Sequence, residues 1–111
     1  MEISEKSYKR STLIKPQGRI DADTAPELEQ YLEKVLKGGQ YHLAVDLSDV
    51  DYISSAGLRV LVSALKESHR YNRGDVRLAG LSTRLKEAFD LVGFDKLFQI
   101  FDAPEDAVGS F

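Results

Sequence analysis

Two adjacent serines and a glycine, Ser54-Ser55-Ala56-Gly57, stand directly ahead of apolar residues at helical spacing, Leu58, Leu61, Val62 and Leu65. A hydroxyl in that place has two uses. It can cap the helix, because the first amides of a helix lack intrahelical acceptors and either Ser54 or Ser55 can supply an oxygen. It can also carry a phosphoryl group, since the same amides and the helix dipole favour an anion. Phosphorylation would add roughly −1.5 to −2 charges to the local surface. The domain would stay folded while a partner docked there met a dianion. Gly57 either admits a close backbone approach or relieves crowding. Taken alone, the pattern is more often a plain cap and turn.

Other reactive residue types are present without a convergent pattern. Asp21, Asp23, Asp46, Asp49 and Asp51 would have to meet in space to bind a metal or do acid–base work. Asp49 and Asp51 read as solvated loop residues and Asp23 as a local loop or capping group. Asp21 is retained as a residue that could lie beside Ser55 and position the site. His42 and His69 are the only histidines and have no nearby cysteine or paired histidine. The Gly-x-Ser-x-Gly elbow of serine hydrolases is absent. No catalytic residue, metal ligand or cofactor is therefore expected.

The elements that must position the serines alternate. Ile3 to Tyr8 and Ser11 to Gln17 read as a hairpin turning near Lys9 and Arg10. Gly18 to Asp23 reads as a loop into a first helix. Thr24 and Glu27 have the spacing of a capping box, Pro26 fits the first turn, and Ala25, Leu28, Leu32, Val35 and Leu36 form the apolar face. Gly38-Gly39 stops it. Leu43 to Leu47 reads as a buried central strand. The helix after Ser55 ends at Tyr71 to Gly74. Val76 to Ala79 is a further strand. Ser82 caps a third helix with Leu85, Ala88, Phe89 and Val92 on its apolar face. Phe98 to Phe101 is a short last strand, and Asp102-Ala103-Pro104-Glu105 has the capping pattern of a final helix. The expected architecture is α/β: one domain over residues 1–111, a small mixed sheet of about four or five strands, and about four helices packed mainly on one face. Phe89, Phe94, Phe98 and Phe101 are expected to close one end of the core, or to mark a binding patch if exposed.

With 111 residues and 42% apolar content, one core suffices. The absence of cysteine excludes disulfides and thiol chemistry and fits a reducing cytoplasm. A net charge of −3 without a basic run argues against direct nucleic-acid binding. No signal peptide or membrane-inserting run is apparent.

The stretch Asp46-Leu47-Ser48, Val50, Tyr52-Ile53-Ser54-Ser55-Ala56-Gly57-Leu58 and Leu61 resembles the signature of STAS domains, in particular their anti-anti-sigma branch. Gly18-Arg19-Ile20-Asp21 with Thr24-Ala25 resembles that family's second motif. The resemblance covers essentially the whole chain. It implies an anti-sigma factor antagonist, not an enzyme, that works by partner switching. The unphosphorylated form would bind a serine-kinase anti-sigma factor, phosphorylation would release it, and a PP2C-type phosphatase would reset it. By position the modified residue is Ser55. The preceding residue, usually Asp in the family, is here Ser54, which loses the carboxylate and offers a second hydroxyl as the alternative site. The implied docking surface comprises Asp21, Asp23, Thr24, Ser54, Ser55, Ala56, Gly57, Leu58 and Arg59. Val60 and Ala64 read equally as contact or core. A second role compatible with the resemblance is a stand-alone STAS accessory subunit of an ABC-type membrane transport complex.

Overall fold

The computed structural model describes residues 1–111. Six strands and four helices follow one another: β1 (Glu2–Ser7), β2 (Thr12–Ile20), α1 (Ala25–Lys37), β3 (His42–Asp46), β4 (Val50–Ile53), α2 (Ser55–His69), β5 (Asp75–Ala79), α3 (Thr83–Leu91), β6 (Ile100–Phe101) and α4 (Pro104–Gly109). β1 and β2 form the antiparallel hairpin expected at the start of the chain. All other pairings are parallel, in the order β1-β2-β3-β5-β6, with β4 also on β2. The sheet is thus mixed, as expected from a hairpin followed by right-handed crossovers.

β2 changes neighbour along its length. Thr12 to Ile14 pair with β3, whereas Gly18 to Ile20 pair with β4 across a register shift. Pro16, which has no amide hydrogen to donate, lies in the gap between the two pairings. This corrects the loop expected over Gly18 to Asp23: its first three residues are strand. β4 itself was not anticipated. It has four residues whose burial does not alternate cleanly, and only the exposed end of β2 makes it a strand.

The apolar stripes of α1, α2 and α3 cover one sheet face. Leu28, Leu32, Leu36, Leu58, Leu61, Leu65, Leu85 and Phe89 meet Ile14, Leu43, Val45, Val76 and Leu78 in a cluster of 22 buried residues. On the other face, Ala44 and Ala79 admit Ala107 of α4 into a small second cluster, with Phe101 and Val108 at its rim. Phe89 and Phe98 are buried edge to face, with centroids 6.1 Å apart, so these aromatics close the core. Val92 departs from the expected stripe. α3 ends at Leu91, and Val92 is 49% exposed.

Ser82 caps α3 as expected, accepting from the Leu85 amide at 3.2 Å. The other two capping expectations are corrected. Thr24 precedes α1 without a side-chain capping bond, and Glu27 pairs with the N-terminal amine at 3.1 Å. α4 has Ala103 at its cap position and no side-chain cap. No helix is long and apolar enough to cross a membrane.

Candidate functional site: the start of helix α2 and the loop after β2

Pairing of β2 with β4 brings two loops together at the carboxyl ends of the strands. The Ser54 amide donates to the Ile20 carbonyl at 2.8 Å, and the Gly18 amide donates to the Asp49 carbonyl at 2.9 Å. The loop carrying Asp21 thereby follows directly on a residue bonded to the start of α2.

Asp21 organises that loop. Its Oδ1 accepts from the amides of Asp23 at 2.9 Å and Thr24 at 3.1 Å. The Thr24 hydroxyl turns away from α1, accepting from the Asp21 amide at 2.9 Å and donating to the Arg19 carbonyl at 2.7 Å. The expected capping box fails for this reason: its hydroxyl is already engaged upstream. Arg19 donates from Nε to Asp21 Oδ2 at 3.2 Å while its guanidinium lies 4.0 Å over the Tyr52 ring. The Thr24 amide, against some desolvation and helped by Asp23, the Thr24 hydroxyl and Arg19, holds the Asp21 carboxyl below its usual range.

At the helix start the two serines divide the possible roles. Ser54 is the cap: its backbone is extended and its Oγ accepts from the Gly57 amide at 3.3 Å. Ser55 is the first helical residue and is exposed. No acidic residue lies in the first turn of α2, so the positive end of the helix dipole is not offset within the helix.

Gly57 is buried against side chains rather than another backbone. A Cβ there would lie 2.6 Å from Ile20 Cγ2 and 2.8 Å from Ile53 Cγ1. The side chain of Leu58 joins the core, 6% exposed, which corrects its assignment to the docking surface. Asp21, Asp23, Thr24, Ser54, Ser55, Ala56 and Arg59 remain at or near the surface. Asp46 and Asp49 stand apart from this group, with Lys15 Nζ 3.4 Å from Asp49 and 4.0 Å from Asp46.

Between α1 and α2 a hollow of about 320 Å³, bordered by Ala22, Pro26, Ala56 and Arg59, continues into a groove of about 570 Å³ past Glu29, Ser63 and Glu67. Val60 and Ala64 are buried members of the core that also form part of its walls, so the core reading of these residues holds. Arg19, Tyr52, Ala22 and Ser63 were not anticipated. Arg19 and Tyr52 lie within motifs singled out in the sequence; Ala22 and Ser63 are placed by helix and strand packing.

A mixed sheet with an antiparallel opening hairpin, helices mostly on one face and a serine exposed at the start of α2 is a STAS-type architecture. The STAS domain profile matches residues 2–107, and the chain belongs to this family. It is 39% identical over 83 residues to the anti-sigma-B factor antagonist of Listeria monocytogenes serovar 1/2a, covering 75% of this chain and 72% of that protein. It is similar to the crystal structure of an anti-sigma factor antagonist from Mycobacterium paratuberculosis, with a TM-score of 0.83 and 28% identity over 98% of this chain and 92% of that one. The Bacillus cell fate determinant SpoIIAA in its phosphorylated form shares the fold, with a TM-score of 0.75 at 13% identity over 98% of each chain.

Proposed function

We propose that this chain is an anti-sigma factor antagonist that works by partner switching, as a ligand and substrate rather than a catalyst. The unphosphorylated form binds a serine-kinase anti-sigma factor in the cytoplasm. Phosphorylation at Ser55 releases that partner, and a PP2C-type phosphatase restores binding. The relatives named as anti-sigma factor antagonists support the class of partner.

The observation that carries the choice of residue is the division of labour between the serines. Ser54 is committed to the Gly57 amide, whereas Ser55 is exposed on the first turn of α2. A phosphoryl group on Ser55 leaves the cap in place. The helix terminus tolerates the new charge, so the fold persists. A partner packed against the Asp21 loop and this turn must instead desolvate or pair a dianion.

Calorimetry with a serine-kinase anti-sigma factor tests the reading. The unphosphorylated chain should bind, and the Ser55-phosphorylated chain should bind about a hundredfold more weakly, equivalent to about 2.7 kcal/mol. Equal affinity of the two forms would overturn charge control at Ser55.

A further inference from the structure

At the opposite end of the sheet, the β1–β2 turn, the start of β3 and the segment after α2 converge. α2 begins at Ser55 and ends at His69, so the two ends stand roughly 20 Å apart. Two adjoining depressions of about 490 and 530 Å³ meet at His42, Arg73 and Phe111. Their walls carry Lys9, Arg10, Arg73 and Arg77 together with His42 and His69. Asp75 is the single carboxylate side chain among the lining residues. In a chain of net charge −3 this is a local reversal of sign.

Two of the cations are held in fixed positions. The Arg77 guanidinium lies 4.1 Å from the Phe111 ring centroid and donates to Asp75 at 2.9 Å and to the Ser110 carbonyl at 2.6 Å. Arg73 lies 4.1 Å over the Tyr41 ring, donates to its hydroxyl at 2.8 Å and is paired with the Glu67 carboxylate at 3.3 Å. Asp75 is shared, since His69 Nε2 also lies 2.7 Å from it. Lys9 and Arg10, exposed in the hairpin turn, enter none of the chain's ion pairs. The surface therefore combines two guanidiniums held in place by Glu67 and Asp75, the unpaired cations of Lys9 and Arg10, and the rings of Phe111 and Tyr8.

We propose that this basic depression docks an acidic segment of a protein partner, a stretch rich in Asp and Glu, independently of the surface around Ser55. Carboxylates match the planar donors of arginine, and a short segment can end where the basic surface ends. A nucleic-acid strand fits less well. It would run beyond the depression onto a remainder of the chain that is more acidic than the net charge.

Fluorescence anisotropy with a labelled oligoglutamate peptide at low ionic strength tests this. The peptide should bind, added salt should weaken it, and Lys9→Glu with Arg10→Glu should weaken binding about tenfold or more. Lys9→Ala with Arg10→Ala gives the same direction if charge reversal perturbs folding, which circular dichroism monitors. Ser55→Asp should leave peptide binding unchanged, which separates this surface from the phosphorylation reading. Absence of peptide binding, unaltered binding by the folded double variants, or equal binding of a single-stranded oligodeoxynucleotide of matched charge would overturn the proposal.

Discussion

The amide of Ser54 donates to the carbonyl of Ile20 at 2.8 Å, joining the cap residue of α2 to the residue that precedes Asp21. This bond and the pairing of Ile20 with Ile53 hold the end of β2 against the start of α2, where the hydroxyl of Ser55 is exposed.

The two serines should separate in stability measurements. Ser54→Ala removes the oxygen that accepts from Gly57 and should cost about 1 kcal/mol. Ser55→Ala removes an exposed hydroxyl and should change stability by no more than about 0.5 kcal/mol. Urea unfolding of the two variants checks the order; a larger loss for Ser55→Ala would assign the cap to the wrong residue.

Gly57→Ala sets helix propensity against packing. Alanine gains about 1 kcal/mol in a helix interior relative to glycine. Its Cβ would nonetheless press on Ile20 and Ile53 at 2.6 and 2.8 Å, and both belong to the core. Overpacking of this kind costs about 1–3 kcal/mol, so net destabilisation is expected. Thermal unfolding reads the sign directly, and a stabilised variant would contradict the tight packing at the helix start.

Asp21 should contribute to acid sensitivity. Its folded carboxyl is held below the ordinary aspartate value of 3.8, chiefly by the Thr24 amide, so its ionised form favours the folded state. Its contribution is complete above the unfolded value and is lost as pH falls through the folded one. The stability gap between wild type and Asp21→Ala should accordingly narrow on going from about pH 6 to about pH 2.5. A gap that widens with acid would reverse the assigned sign.

Tyr31 supplies a check on the fold far from the serines. Burial, and then the adjacent Glu5 carboxylate that accepts from its hydroxyl, push it up to about 12. The folded state thus retains this proton where the unfolded chain loses it, and the associated stability, present below the unfolded value of 10.0, is lost as pH rises toward 12. Absorbance titration should show one tyrosine ionising late, and Glu5→Gln should bring it lower. An unchanged late component in the variant would remove Glu5 as a cause.

Much of this site was readable because it is local. Ser54 to Gly57 ahead of Leu58, Leu61 and Leu65 encodes a capped helix within a few residues, and the α/β alternation follows from similar short-range patterns. Features set by contacts distant in sequence were not readable. Val50 to Ile53 becomes strand only because Gly18 to Ile20 offer a free ladder. The Thr24 hydroxyl serves Arg19 and Asp21 because β2 continues to Ile20 and turns sharply there. Leu58 belonged to the apolar stripe by its spacing and to the docking surface by the family resemblance, and packing with Leu61 and Leu65 decides for the core.

The most direct test of the switch is phosphopeptide mapping of this protein isolated from its native cells under two growth conditions. One phosphoryl group is expected, on Ser55, with occupancy that differs between the conditions. Phosphate on Ser54 alone, or none in conditions where the protein is active, would contradict it.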